Sequence, residues 1–172
     1  HYSIRHSTMT EQHTHIFQIT SSANQGGGAW HLLSLLENVC GANLTHHAIF
    51  PYNNDLSGEI HRLSKNNICF PYSLKTFIIL LSKFNRISHL YSHSSIVLHS
   101  HGPAAGLLGK FLSICFGLRH IYTPHGVQFQ DYDPLKKLLY ILYEKASAFA
   151  ITEIIYISHT EKKSFTNSNV YP

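Results

Sequence analysis

Residues 96–123 read IVLHSHGPAAGLLGKFLSICFGLRHIYT, and this stretch contains the pattern that decides the fold. The run from Ile96 to His99 is typical of a buried strand, and it stops at Gly102-Pro103, where proline suits the first position of a helix. Gly117 ends that helix, and residues 120–123 form the next strand. Apolar spacing predicts that the helix buries Leu107, Leu108, Phe111, Leu112 and Cys115. The stretch is therefore a strand-helix-strand unit.

The same alternation continues on both sides of this unit. Toward the amino end, strands are predicted at residues 16–20, 44–50 and 68–70, and helices at 29–39, about 59–65 and 74–88. Toward the carboxyl end, Asp133-Pro134 begins a helix that runs to about residue 150, and residues 154–157 form a sixth strand. A capping box from Ser158 to Glu161 begins the last helix. Six apolar strands alternating with helices predict an α/β fold with a doubly wound, mostly parallel, Rossmann-like sheet and helices on both faces.

Composition limits the class of protein. The chain has 172 residues, of which 44% are hydrophobic, and this excludes a disordered or collagen-like protein. The net charge is +4 with histidine neutral, and 15 histidines make it dependent on pH. Three widely spaced cysteines argue against a zinc knuckle or a disulfide framework and favour a reducing, cytoplasmic setting. No apolar run reaches the 18 residues of a membrane span.

The domain is predicted to begin near His15, after a flexible leader at residues 1–14, and to extend to residue 172. In a doubly wound sheet, ligands bind beyond the carboxyl ends of the strands, where the strand order reverses. This rule selects three loops, at residues 21–28, 99–102 and 124–129. The reversal is expected between the first and fourth strands.

The first of these loops contains three consecutive glycines, Gly26, Gly27 and Gly28. Glycines there let backbone amides approach a phosphate, and the following helix offers its positive end. A plain tight turn is the alternative. The spacing disfavours NAD, because position 31, where a dinucleotide fingerprint needs a glycine, is His31. Residues 106–111 do not form a phosphate-binding Walker A loop, since Phe111 stands where Ser or Thr must hold magnesium.

Histidines follow the fourth and fifth strands. His99 and His101 share one strand face, which suits a metal ligand pair, and His120 or His125 could supply a third ligand. No carboxylate flanks these positions to orient a ligand, so the sequence predicts no metal. His99 is expected to pack at the strand end with a bond to the backbone. His125, in a Pro-His-Gly turn, could donate to a sugar hydroxyl or a phosphate.

Several motifs, taken in order, carry a resemblance that extends from about residue 15 to the end of the chain. They are Ile19-Thr20 with residues 26–29, residues 96–102, residues 122–126, residues 131–136 before a long helix, and residues 155–158 before Glu161. With these motifs the chain resembles the N-terminal domain of family 4 glycosyltransferases.

The resemblance implies one half of a GT-B fold. Such an enzyme transfers a sugar from a nucleotide-sugar donor to a glycan or a lipid-linked acceptor, with retention of configuration and without a metal or other cofactor. Gly26, Gly27 and Gly28 would face the donor diphosphate, His125 would contact the transferred sugar as the catalytic residue, and His101 and Gly102 would line the acceptor side. His31 receives no role.

The resemblance also implies a partner domain. The C-terminal domain that holds the nucleotide is absent from this sequence and would be supplied in cis or in trans, since residues 169–172 resemble the approach to an interdomain linker. The chain alone is then expected to be inactive. Polysaccharide or lipopolysaccharide assembly is the setting that the family suggests.

Two other functions stay open: an acceptor-binding module that acts only with a partner chain, and a metal-dependent hydrolase with histidine ligands. No nucleic-acid partner is expected. Two helices mix basic and apolar residues, with Lys75, Lys83 and Arg86 in one and Lys136 and Lys137 in the other. Such helices can lie on an anionic membrane surface, which would place the chain peripherally at the inner face of a membrane, or they can simply cover the sheet.

Overall fold

The computed structural model describes residues 13–39, 41–126, 131–168 and 170–171. Strands and helices alternate along this part of the chain. The strands are β1 (Thr14–Thr20), β2 (Leu44–Phe50), β3 (Asn67–Cys69), β4 (Ile96–His101), β5 (Arg119–Thr123) and β6 (Glu153–Ile154). The α-helices are α1 (Gly27–Asn38), α2 (Ser57–Leu63), α3 (Leu74–Ser88), α4 (Pro103–Phe116), α5 (Pro134–Ser147) and α6 (His159–Asn167).

The six strands form one sheet in the order β3-β2-β1-β4-β5-β6, and every strand pair in it is parallel. The predicted doubly wound α/β sheet is confirmed. The chain moves outward from β1 toward β3, then crosses back to β4 and moves outward in the opposite direction. The strand order therefore reverses between β1 and β4, as predicted, and loops on either side of that point diverge to leave a crevice.

Apolar clusters cover both faces of the sheet. On one face, α1 and α2 bury Leu32, Leu36 and Ile60 against β2. On the other, α3 and α4 bury a larger set that includes Phe84 and Leu112 against the central strands. A third cluster lies around β5, α6 and the last described residues. Among the described helices, none is long and apolar enough to cross a membrane.

Helix α4 packs on the sheet through two glycines as well as through Leu108 and Leu112. A Cβ atom added at Gly106 would lie 2.6 Å from Tyr122, and one added at Gly109 would lie 2.4 Å from His120. The helix therefore approaches β5 too closely for any larger side chain. The prediction of its buried face is partly wrong for this reason. Leu108 and Leu112 are buried as expected, whereas three predicted core residues lie outward: Leu107, Phe111 and Cys115.

Smaller corrections concern element ends. Helix α1 begins at Gly27, so two of the glycines predicted as loop form its first turn. Strand β6 has only two residues, Glu153 and Ile154, because the chain turns toward α6 earlier than the apolar run suggested. Strand β1 begins at Thr14, close to the predicted domain start. Cys40 and the predicted leader up to residue 12 lie outside the described residues.

Histidines occupy fully buried positions on the sheet. His47 accepts a hydrogen bond from the Asn66 side chain at 2.8 Å, and its ring stacks on Phe17 with centroids 4.4 Å apart. His120 lies 2.6 Å from the Ser100 hydroxyl and donates to the Ala150 carbonyl. Burial lowers the pKa of His47 to about 3 and that of His120 to about 4. Both rings are therefore neutral in the folded protein at pH 7.

These two histidines make stability depend on pH. Their pKa values in the folded chain lie below the ordinary 6.5, so below that pH the unfolded chain binds protons that the folded chain does not. We expect the free energy of unfolding to fall from about pH 6.5 to about pH 4, by up to about 1.4 kcal/mol per pH unit for each histidine. Urea unfolding at pH 7.5, 6.0 and 5.0 measures this slope.

The variant His47→Phe keeps the aromatic stack but has no group to protonate. The dependence of its unfolding free energy on pH should therefore be less steep, by the contribution of one histidine. His89→Phe, at an exposed position, is the matched control. An identical slope in His47→Phe and in the unmodified chain would contradict the assignment.

Candidate functional site

Three loops meet at the carboxyl edge of the central strands. Gly28, at the start of α1, lies beside the His125 ring, and a Cβ placed on it would be in ordinary contact with that ring at 3.7 Å. His101, the last residue of β4, places its Nδ1 atom 3.1 Å from Nε2 of His125. The Gly102 amide donates to the Thr123 carbonyl at 2.8 Å and so joins the loops after β4 and β5. The structure thus brings together the residues predicted to form the site.

The glycine run forms an open helix start. Gly26 is the N-cap residue of α1 with an extended backbone, and Gly27 and Gly28 begin the helix. None of the three has a positive φ, and no described atom lies within 4 Å of a Cβ placed on Gly27. A tight turn is therefore not the reason for these glycines. Their bare backbone leaves the first amides of α1 open to a ligand, and these amides carry the positive end of the helix.

The turn that carries His125 has an uncommon backbone. His125 itself has φ 56° and Gly126 has φ 121°. A left-handed conformation is uncommon for a residue with a side chain, and such residues cluster at functional sites. The conformation directs the His125 ring toward the start of α1, where it meets Gly28 and His31. Residues 127–129, which belong to the predicted loop, lie outside the described residues.

A buried carboxylate holds this turn in place. Glu161 accepts hydrogen bonds from the Gly126 amide and, at 2.9 Å, from the Ile157 amide. Its own amide donates to the Ser158 hydroxyl, so only half of the predicted capping box forms. Glu161 was predicted to be purely a helix cap. Its carboxylate instead connects α6 to the His125 turn and is a positioning group for the site.

Removing this carboxylate should loosen the turn. We expect Glu161→Gln to destabilise the chain by about 1–3 kcal/mol, because the amide nitrogen of glutamine cannot accept from a backbone N–H. The Gly126 amide should also exchange its proton faster, and hydrogen-exchange NMR with urea unfolding measures both effects. Glu153→Gln changes an exposed carboxylate and is the control. Unchanged exchange at Gly126 would contradict this role for Glu161.

Two other histidines were considered as metal ligands, His99 and His120, and neither belongs to the cluster of His31, His101 and His125. His99 is buried, and its Nε2 atom lies 2.9 Å from the Thr123 hydroxyl, so it is packed as expected but bonded to a side chain rather than to the backbone. His120 cannot be a third ligand, because it contacts Ser100 and α4 on the opposite face of the sheet. Alternation of side chains along β4 explains this separation.

A relay of hydrogen bonds determines the tautomer of His101. The Val39 carbonyl can only accept, so Nε2 of His46, at 2.8 Å, donates to it, and Nδ1 of His46 then accepts from the Gln18 amide nitrogen at 3.3 Å. The Gln18 amide oxygen in turn accepts from Nε2 of His101 at 2.8 Å. Nδ1 of His101 therefore carries a lone pair, and it accepts from the Nε2–H of His125 at 3.1 Å.

His31 completes the site, although the sequence suggested no role for it. Its ring centroid lies 4.9 Å from that of His125 and 5.5 Å from that of His101. One ring nitrogen from each of the three histidines lies within 4.8 Å of the others. A signal was available: His31 is three residues after Gly28, and helix side chains lean toward the helix amino end, which points the ring at the loops.

The cluster is uncharged at neutral pH. Burial lowers the pKa of His31, it lowers the pKa of His101 well below 6.5, and it lowers the pKa of His125 to about 4. Neutral imidazoles offer both an N–H donor and a lone pair. The arrangement can therefore donate hydrogen bonds to hydroxyl or phosphate oxygens, and its lone pairs can bind a metal ion.

No protein-family model matches the chain, and no curated protein matches it either.

Proposed function

We propose that this chain is the acceptor-side half of a retaining GT-B glycosyltransferase, which transfers a sugar from a nucleotide-sugar donor to a glycan or lipid-linked acceptor. One observation carries the proposal. A glycine run that the described packing does not require lies beside His125 through Gly28, and His125 contacts His101, where the strand order reverses. That juxtaposition suits a ligand with both phosphate and hydroxyl groups.

The chemistry of sugar transfer needs little from the protein except charge stabilisation. As the bond between sugar and phosphate breaks, negative charge grows on the leaving diphosphate. Donors placed in advance stabilise such charge. The free amides of Gly27 and Gly28 at the start of α1 supply them here. The neutral His125 ring donates its Nε2–H to His101, so its Nδ1 atom can accept a hydrogen bond from a hydroxyl of the transferred sugar. Each group acts without becoming a nucleophile.

An apolar groove favours a lipid-linked acceptor. The groove has a volume of about 420 Å³, lies between α3 and α4, and is lined almost entirely by carbon. It reaches the carboxyl edge of the sheet, since Phe70 and Pro71 follow β3 and Ala104 lies in the first turn of α4. A hydrocarbon chain in this groove would contact Ala104, which is two residues after Gly102 on the predicted acceptor side.

The proposal predicts that the chain is active only together with a nucleotide-binding domain. A single Rossmann-like half forms one wall of a cleft, so the purified chain should transfer no sugar by itself. When it is fused ahead of a GT-B C-terminal domain of known donor, sugar transfer to a lipid-linked acceptor should appear. In that fusion, His125→Ala should lower turnover by about a hundredfold or more, the usual cost of losing one preorganised hydrogen-bonding group. His99→Ala is the control, because its ring is bonded to Thr123.

Release of nucleoside diphosphate and formation of labelled product measure the reaction. Equal losses in the two variants would contradict the role of His125. Turnover by the chain alone would contradict the half-site assignment. Acceptor binding without transfer in any fusion would favour the alternative of a binding module.

The exposed side of α5 supports a membrane partner for such an acceptor. Leu135, Leu138, Leu139 and Leu142 form one stripe on this helix, and each is more than half exposed. Lys136 and Lys145 lie on the same exposed helix. Apolar residues with lysines beside them suit the headgroup layer of an anionic membrane, where each lysine contributes about 1 kcal/mol.

Vesicle binding tests this surface. We expect the chain to co-sediment with phosphatidylglycerol vesicles at low salt, to be released by high salt, and to stay in solution with neutral vesicles. The pair Leu138→Glu and Leu142→Glu should abolish binding. Ile114→Glu, at an equally exposed position on α4, should not. Absence of binding to anionic vesicles at low salt would mean that α5 only covers its neighbours.

A further inference from the structure

We infer that His31, His101 and His125 form a binding site for one divalent transition-metal ion of the zinc type. The inference departs from the expectation that no metal is present, and it does not depend on the proposed sugar transfer. It rests on ligand geometry, on the groups that orient the ligands and on an orphaned nitrogen atom.

The ligand geometry is close to that of a three-histidine site. Zinc binds imidazole nitrogen at about 2.0–2.1 Å, so two ligands of a tetrahedral ion lie about 3.3 Å apart. Nδ1 of His101 and Nε2 of His125 are hydrogen-bonded at 3.1 Å, and one ring nitrogen of each of the three histidines lies within 4.8 Å of the others. An ion would replace the proton between His101 and His125, that proton moving to Nδ1 of His125, and would draw the His31 ring inward by up to about 1.5 Å. Three protein ligands leave a fourth position for water or for an oxygen of a bound ligand.

The second argument concerns orientation. A histidine that binds metal usually donates its other N–H to a carbonyl or carboxylate, which sets the tautomer. His101 does this toward Gln18 at 2.8 Å, and the relay through His46 to the Val39 carbonyl holds Gln18 in the required orientation. The lone pair of His101 is thus fixed in place before any ion arrives.

The third argument is an unsatisfied atom. Nδ1 of His31 is buried and has no hydrogen-bond partner among the described residues. Burying a polar atom without a partner is costly, and such exceptions in a structure call for an explanation. A ligand that engages His31 provides one. The donor set of three neutral imidazoles selects zinc, cobalt, nickel or copper over magnesium and calcium, which prefer oxygen.

The experiment uses the whole chain, freed of metal with a chelator and titrated with Zn²⁺ and with Co²⁺. We expect one tight equivalent of zinc by calorimetry and an intense visible band from Co²⁺ that marks tetrahedral coordination. His31→Gln and His125→Gln should each weaken binding at least tenfold and remove the band. Both side chains are only partly buried, so these variants should fold, and circular dichroism checks this.

Two further variants separate the site from binding to surface histidines. Gln18→Leu, which removes the group that orients His101 and also the hydrogen bond to His46, should weaken zinc binding about 10–100-fold, and circular dichroism checks its fold as well. His159→Gln, at an exposed position, should change nothing. Cobalt spectra typical of six-coordinate surface binding, or unchanged zinc affinity in His31→Gln and His125→Gln, would overturn the inference. None of these readouts involves sugar transfer, so failure here leaves the proposed function standing, and the reverse also holds.

Discussion

The pairing of β1 with β4 is the constraint on which the rest of this structure depends. It joins two strands that are far apart in the sequence, and it aligns Gln18 with His99 and Thr20 with His101. That alignment reverses the strand order and opens the crevice between diverging loops. The same alignment lets Gln18 reach His101. A shift of one residue would turn Gln18 to the opposite face and break the relay.

Polar groups buried next to that pairing show how the fold stabilises an unusual interior. Histidine and glutamine side chains on the central strands lose their contact with water, and each must find a partner. A chain of hydrogen bonds runs from His101 through Gln18 and His46 to the Val39 carbonyl, and it satisfies these buried groups. Across the sheet, His120 is satisfied by Ser100 and Ala150. A network of this kind rigidifies the core and fixes which nitrogen atoms face the crevice.

Helices α4 and α5 are each held to the protein on one side and expose apolar side chains on the other. Glycines bring α4 against β5, and the buried Lys110 of α4 pairs with Glu144 of α5, which also accepts from the Tyr171 hydroxyl. Tyr140 and Ile141 of α5 also pack on the apolar cluster around Tyr122. The leucines at positions 135, 138, 139 and 142 lie on the other side of the helix and are exposed.

The sequence by itself determined the class of fold, the alternation of strands and helices, and the edge of the sheet at which the predicted site residues come together. Local patterns carry that information. They are the periodicity of apolar residues, helix caps such as Asp133 and Ser73, and the Gly102-Pro103 pair that separates β4 from α4. It also placed Gly28, His101 and His125 at one edge of the sheet, because parallel strands end on the same side. Tertiary structure alone decided which side chains meet there. His31 joined the site and His120 left it because contacts across strands depend on register and on which face α1 covers. The buried face of α4 likewise followed from the close approach that Gly106 and Gly109 permit, which the spacing of its leucines does not encode.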